Sequence, residues 1–423
     1  MEAERPRPVN AGPAPIAEAL SRLPGPPRPP FLTPSMQLLH GIHLAYCTNI
    51  HRGESWAETM AALERHTLSV RQRVAPRQPY AIGLRLGAAA ARDLLDRETR
   101  LAFQRWLDRH DCYVFTINGF PYGKFHGSRV KEQVFQPDWS TALRTEYTES
   151  LFRILSDILP AGLSGSVSTV PGSHKSLVPD EPYADLIRQN LRSHATWLAR
   201  FADRTGQDLH LGLEPEPLGW IENSPESIDL FHQLGRSEDI QRCLGINYDT
   251  CHFAVEYENP ASALKALREA GIRISKLHLS SALRLAPTTA ALRLMESFRD
   301  EVYFHQVIAR REDGVLERHA DLPEALASDP QRRGIEEWRV HFHVPLHAPP
   351  QEHLETTADH LTGTLDVLAD DPGLCQHLEM ETYTWEVLPP DLRAASVEDQ
   401  LEREYAWTLA ELRHRSLAPP SPA

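Results

Sequence analysis

The sequence predicts an α/β protein built as one (β/α)8 barrel with an insertion between strands 7 and 8, and two observations carry that expectation. Short apolar, β-like segments alternate with longer amphipathic stretches along most of the 423 residues, the pattern of a parallel sheet whose strands are joined by helices. Four segments of the second half, LHLGLEPEP, LGINYDTCH, ISKLHLSS and CQHLEMETYT, each end in acidic or histidine residues. Barrel strands deliver their chemistry from the C-terminal end.

The elements follow in order. Residues 1–35 are crowded with proline, as in LPGPPRPPFLTP, and predict a disordered lead-in, because proline removes a backbone donor and fixes φ. Residues 36–412 then read as one barrel domain. LLHGIHLAYCTNI, YAIGLRLG, DCYVFTINGF and LSGSVSTVPG are strand-like by their aromatic and β-branched content and by the Gly, Pro or Asn closing each. Between them SWAETMAALERHTLSVRQRV, RETRLAFQRWLDRH and WSTALRTEYTESLFRILSDIL repeat apolar residues at three- and four-residue spacing. A further helix, YADLIRQNLRSHATWLARFADRTG, leads to strand 5 at 209–214, then strands 6 at 244–249, 7 at 273–279 and 8 at 376–382. The gap before strand 8 holds a hairpin around Asp313-Gly314, the segment WRVHFHVPLH and a helix near 352–369. The excursion, 285–350, is expected to lie over the barrel mouth. The tail from 413 is expected to be disordered.

Composition narrows the function classes. A formal net charge of −14 argues against a nucleic-acid partner, whose affinity comes largely from Lys and Arg on phosphates. The five cysteines, Cys47, Cys112, Cys243, Cys251 and Cys375, form no CxxC pair and read as reduced, buried thiols of a cytoplasmic protein. Cys251 lies between Asp249 and His252, so a ligand role is weighed against packing, which is favoured. No stretch reaches the roughly 18 apolar residues of a membrane span, and the expected partner is a small-molecule substrate. Homo-oligomerisation stays open.

The candidate chemistry sits at the strand ends. Glu214, Asp249, His278 and Glu379 offer three carboxylates and one imidazole, an oxygen-rich set that suits Mn²⁺ or Mg²⁺, with Zn²⁺ or Co²⁺ less favoured. Glu216 and Glu381 share strand parity with Glu214 and Glu379, so either pair could supply its second member instead. Glu379 is preferred because it lies deeper in the apolar run. A divalent metal would polarise a carbonyl beside a hydroxyl, Glu214 and Glu379 would move a proton on the neighbouring carbon, and His252 would support the developing oxygen charge. His341 and His343 form an H-x-H pair read on one strand face, either a metal pair or a pocket wall. Asn118 and Tyr122, in TINGFPYG after strand 3, are expected to touch substrate. His43, His51 and His126 are read as pocket polar groups, and Trp56 and Trp385 as wall or packing residues.

Glu at strand 5, Asp-x-x-His at strand 6, His at strand 7 with Arg284 six residues on, and Glu at strand 8 together resemble the xylose-isomerase-like TIM barrels, the superfamily of sugar isomerases, ketose 3-epimerases and endonuclease IV. More narrowly, AYCTNIHRGESW, TINGFPYGKFHG, VKEQVFQPDW, EWRVHFHVPL and HLEMETYTWEVLP resemble the EboE-type metabolite traffic proteins. The resemblance implies the four metal positions above, substrate contacts at His252 and Arg284, and a pathway handling a secondary-metabolite precursor. Ser280 and Ser281 follow the strand-7 His where the sugar epimerases often carry Asp, which weakens a sugar substrate more than it weakens the metal.

Three functional classes follow. The first is a metal-dependent isomerase or epimerase of a hydroxy-carbonyl compound. A multi-metal hydrolase of a phosphorylated small molecule, using the extra histidines, is the second. The third is a noncatalytic metabolite-binding barrel.

Overall fold

The computed structural model describes residues 36–124, 131–299, 303–388 and 393–420. The proline-rich lead-in and His126 lie outside the described residues. In chain order the strands are β1 (His43–Tyr46), β2 (Tyr80–Arg85), β3 (Cys112–Asn118), β4 (Gly165–Thr169), β5 (Leu209–Leu213), β6 (Leu244–Asp249) and β7 (Arg273–Leu279). Then come β8 (Leu283–Leu285), β9 (Val307–Arg311), β10 (Leu316–His319), β11 (Ile335–Val340), β12 (Glu355–Thr356) and β13 (His377–Met380).

One eight-stranded sheet has the order β1-β13-β7-β6-β5-β4-β3-β2, with every ladder parallel. A parallel bridge between Cys47 and Gly83 joins β1 back to β2 and closes the barrel. Both faces of these strands are buried, as a sheet covered by helices on one side and filled by its own side chains on the other requires. The outer helices are capped by their own sequence. Asp180 accepts from the Tyr183 amide at the start of helix Glu181–Thr205, which ends on Gly206 at φ +66°, a conformation open to glycine without steric cost.

The filling near the N-terminal end of the barrel is polar and paired. His377 Nδ1 lies 2.8 Å from Ser166 Oγ, His210 Nδ1 2.6 Å from Ser275 Oγ, and His43 Nδ1 2.8 Å from the Tyr113 hydroxyl. Burial pushes the imidazole of His43 down to about 4 and that of His210 well below its usual value, so both are neutral packing groups. His43 therefore belongs to the barrel floor and not to its mouth. His51 pairs with the Tyr46 hydroxyl at 2.9 Å and stacks on His66.

Between β7 and β13 the chain builds a second, antiparallel sheet of order β10-β9-β11-β8-β12. The hairpin around Asp313-Gly314 is β9–β10, and the sheet reaches beyond 285–350 because β8 and β12 pair at its root. It has its own core, including Leu285, Met295, Phe298, Trp338 and Phe342. Ion pairs bind it to the barrel: Arg318 meets Glu256 at 2.5 Å and Glu222 at 3.4 Å. Arg339 donates to the Ala254 carbonyl at 2.6 Å and lies 4.0 Å above the Tyr257 ring.

The C-terminal helix Val397–His414 returns against the barrel, with Tyr405 hydrogen-bonded to the Tyr80 hydroxyl at 3.0 Å. Its Glu404 is buried, accepting from Thr382 Oγ1 at 2.8 Å. The tail from 413, expected to be disordered, is packed as far as Ala418. Leu417 is buried and its carbonyl accepts from the Leu39 amide at 3.0 Å.

Candidate metal centre

The mouth of the barrel brings four buried donors together: Glu214, Asp249, His278 and Glu381 each offer a ligand atom, all within 4.8 Å of one another. Each position follows from local structure. Glu214 stands one residue past β5, and its amide donates to the Thr169 carbonyl at the end of β4. Asp249 ends β6 and caps helix Thr250–Val255, its Oδ1 accepting from the amides of Cys251 and His252 and from Ser280 Oγ at 2.5 Å. The cap consumes Oδ1 and leaves Oδ2 facing the mouth. Glu381 follows β13, and its Oε1 accepts from Asn49 Nδ2 at 2.7 Å and Asn118 Nδ2 at 3.2 Å. Glu381 Oε2 lies 3.1 Å, and Glu214 Oε1 2.9 Å, from His278 Nδ1.

Glu379, the preferred strand-8 residue in the sequence, is placed differently. It lies one pleat deeper, where its Oε2 accepts from Lys276 Nζ at 2.5 Å and faces His278 Nε2 at 2.8 Å. Gly83 makes room for it: a Cβ there would overlap Glu379 Oε1 and lie 2.6 Å from the Tyr46 carbonyl. With a metal bound, this carboxylate would hold the remaining proton of His278 on Nε2 and leave Nδ1, which faces the other three donors, free to coordinate. Glu381, the alternative at this strand, therefore completes the four, and Glu379 orients one of them from behind.

The electrostatics are those of ionisable groups crowded together out of water. Burial opposes ionisation of Asp249, yet His252, His343 and His278 hold it well below the usual carboxylate range. Burial likewise opposes protonation of His278, but Glu381 and Glu214 hold it well above its usual value. Burial, reinforced by Glu214, Asp249 and Glu381, pushes the Glu216 carboxyl well above its usual value. Glu214 Oε2 and Asp249 Oδ2 are buried with no hydrogen-bond partner among the described residues. Buried carboxylate oxygens without donors are costly unless a metal takes them, and three carboxylates with one imidazole suit a hard divalent ion.

A second donor set adjoins the first. His252 Nδ1 donates to the Pro215 carbonyl at 2.9 Å, His343 Nδ1 to the Glu381 carbonyl at 2.8 Å and His341 Nδ1 to Gln306 Oε1 at 2.8 Å. Each acceptor fixes the tautomer and leaves an Nε2 lone pair. Two of these, on His341 and His343, lie 3.2 Å apart. The groupings Asp249–His252–His343 and Glu216–His252–His341 each fall within 4.8 Å. Both excursion histidines stand just past the end of β11, not on one strand face. Cys251 falls within the same distance of His341 and His343, but burial pushes its thiol well above the usual range, which favours packing.

The cleft above is lined by Asn49, Asn118, Glu214, Glu216, His252, Gln306, His341 and Glu381 at its base. Tyr122 and Arg284 do not join it. Tyr122 packs edge-on against Tyr147 at 5.0 Å. Arg284 belongs to β8 of the second sheet and pairs with Glu355 at 2.9 Å and Asp359 at 2.8 Å. Trp56 packs on Phe103, and Trp385 against the core of the excursion. Sequence reasoning missed Asn49, Gln306 and Lys276. Lys276 had a signal, since it stands two residues before His278 and shares its strand face.

No family model and no curated protein matches the chain. Its fold is similar to that of a D-tagatose 3-epimerase-like protein, at 12% identity and a TM-score of 0.48, covering 88% of this chain and 97% of that one. An L-ribulose 3-epimerase is similar at 13% identity and a TM-score of 0.48, over 88% and 95%. A xylose isomerase domain protein from Planctomyces limnophilus follows at 16% identity and 0.46, over 82% and 91%. At these identities the likeness is one of fold, and the strand order itself shows the barrel. No helix among the described residues is long and apolar enough to cross a membrane.

Proposed function

We propose that this barrel is a metal-dependent enzyme of the isomerase or epimerase type, acting on a small molecule that carries a hydroxyl beside a carbonyl. The observation that carries the reading is the convergence of Glu214, Asp249, His278 and Glu381 on one buried point at the base of an open cleft. A divalent ion held there supplies Lewis-acid polarisation of such a carbonyl. The side chains around it do the rest. Asn49 and Asn118 clamp Glu381. Glu216 lines the cleft with its Oε1 unpartnered among the described residues, the position from which a carboxyl can pass a proton to or from a bound carbon. His252, with its lone pair toward the cleft, stands beside it for a substrate oxygen. The proton-transfer pair is thus Glu216 with Glu214, because Glu379 is turned away toward Lys276. The motif resemblance to EboE-type proteins supports a secondary-metabolite precursor as the substrate, and the five free, buried cysteines support a cytoplasmic setting.

His252, His341 and His343, which meet in pairs in overlapping donor groups, support a second reading, a hydrolase holding two or three ions that activates water. Elemental analysis of the purified protein beside His278→Ala separates the two. About one ion per chain, lost in the variant, with solvent deuterium entering the carbon next to a bound carbonyl, supports the isomerase. Two or three ions per chain move the assignment to the hydrolase. No metal after incubation with excess Mn²⁺ or Zn²⁺ sinks both and leaves a noncatalytic binder.

A further inference from the structure

The walls of the cleft differ in kind from its base. Besides the carboxylates and histidines the cleft is lined by five aromatic rings, Phe120, Phe135, Tyr303, Phe304 and Tyr383, and by Val134 and Pro121. Two pairs meet edge to face, Phe120 on Phe135 at 5.6 Å and Tyr303 on Tyr383 at 5.4 Å, while Phe304 stacks on His174 at 6.2 Å. The cation among the described lining residues is Lys131. It is already engaged, since its Nζ donates to Asp321 and lies 5.6 Å from the centre of the Phe304 ring. The base of the cleft meanwhile carries three glutamates, Glu214, Glu216 and Glu381.

On the metal-site reading proposed above, we infer that the substrate is an aryl compound: its chelating oxygen pair meets the base of the cleft, and an uncharged aromatic ring is held among these five rings. A phosphorylated or carboxylated tail would face carboxylates and one paired lysine, with no arginine among the described lining residues to receive it. Among these rings a polyhydroxylated tail would find polar groups only on Tyr303 and Tyr383, and hydroxyls set against Phe120, Phe135 and Phe304 would each be buried at a loss. An aromatic ring buries apolar area and gains edge-to-face contacts beyond it.

Hydroxamates test this, because each presents the same oxygen pair on a different tail. Binding of acetohydroxamate, benzohydroxamate and phosphoglycolohydroxamate to the Mn²⁺-loaded full chain is measured by calorimetry. Benzohydroxamate is expected to bind at least about ten-fold more tightly than acetohydroxamate, from ring burial and aromatic contact, and phosphoglycolohydroxamate no more tightly. Phe304→Ala, at a partly exposed position, and Phe120→Leu should each shrink the benzohydroxamate advantage and leave acetohydroxamate unchanged. Equal affinities for the methyl and phenyl probes, or preference for the phosphorylated one, would overturn the substrate class while the metal reading stands. Failure of all three to bind metal-loaded protein would overturn both.

Discussion

Lys276 and Glu379 form an ion pair inside the barrel, with side chains 1% and 0% exposed and Nζ 2.5 Å from Oε2. Lys276→Met leaves a carboxylate in the interior with His278 as its remaining charged neighbour, and Glu379→Gln leaves an ammonium there. Removing one partner of a buried pair costs about 3–5 kcal/mol, whereas neutralising both at similar volume is about neutral. Each single variant should therefore lose about 3–5 kcal/mol, and the Lys276→Met/Glu379→Gln double should return to within about 1–2 kcal/mol of the parent. Urea unfolding of metal-free protein is the assay, since a bound ion would add its own stabilisation. The pair also gives the parent a pH signature. Burial raises the Glu379 carboxyl, but Lys276 and His278 bring it down to about 2 from an ordinary 4.5. Its contribution is present above about pH 4.5 and is lost as pH falls toward 2, a slope the double variant should lack. Additive losses in the double, or single losses below about 1 kcal/mol, would refute the claim that this pair is a coupled, desolvated unit.

Other perturbations separate neighbours that the sequence leaves alike. Glu381→Gln should reduce bound Mn²⁺ to background by elemental analysis, whereas Glu379→Gln should keep the site with affinity weakened about 10–100-fold, as for groups behind a metal ligand; equal losses would return Glu379 to the ligand set. Glu404→Gln should stabilise the protein at neutral pH. Burial raises this carboxyl from 4.5 to about 8, so the unfolded chain ionises first and the parent weakens as pH climbs between those values. The variant should gain about 3 kcal/mol at pH 7 and nothing at pH 4, read from urea midpoints. Arg284→Ala should leave substrate turnover unchanged and cost at most about 1 kcal/mol, because its partners are exposed carboxylates; a large fall in kcat would place it at the cleft after all.

The barrel was legible because strand ends are marked chemically: LHLGLEPEP, LGINYDTCH and ISKLHL carry their polar residues where an apolar run stops. The choice between Glu379 and Glu381 was not, since residues two apart on a strand share a face and sequence does not say how far a strand sinks below the mouth. Here β13 ends at Met380, so Glu381 is at the rim and Glu379 beneath it. Arg284 was misplaced for a related reason: spacing from His278 holds only while the chain stays in one sheet, and β8 has already left the barrel. His341 and His343 carried a real signal in H-x-H, but the acceptors that set their tautomers, Gln306 and the Glu381 carbonyl, come from distant segments. The aromatic wall is assembled from four separated stretches and leaves no local pattern.

The pairing of β8 with β12 places Arg284 opposite Glu355 and Leu283 opposite Thr356, so the excursion leaves and rejoins the barrel at neighbouring points. A segment with adjoining ends can be exchanged without moving the strands that bracket it. His278 and Glu381, on either side of that junction, belong to the barrel, while His341, Phe304 and Gln306 belong to the segment. The insert thus supplies one side of the cleft, with Tyr303, Phe304, Gln306 and His341, while Phe120, Phe135 and Tyr383 stand on the barrel's own loops. Exchanging the insert would reshape that side of the cleft while leaving Glu214, Asp249, His278 and Glu381 in place.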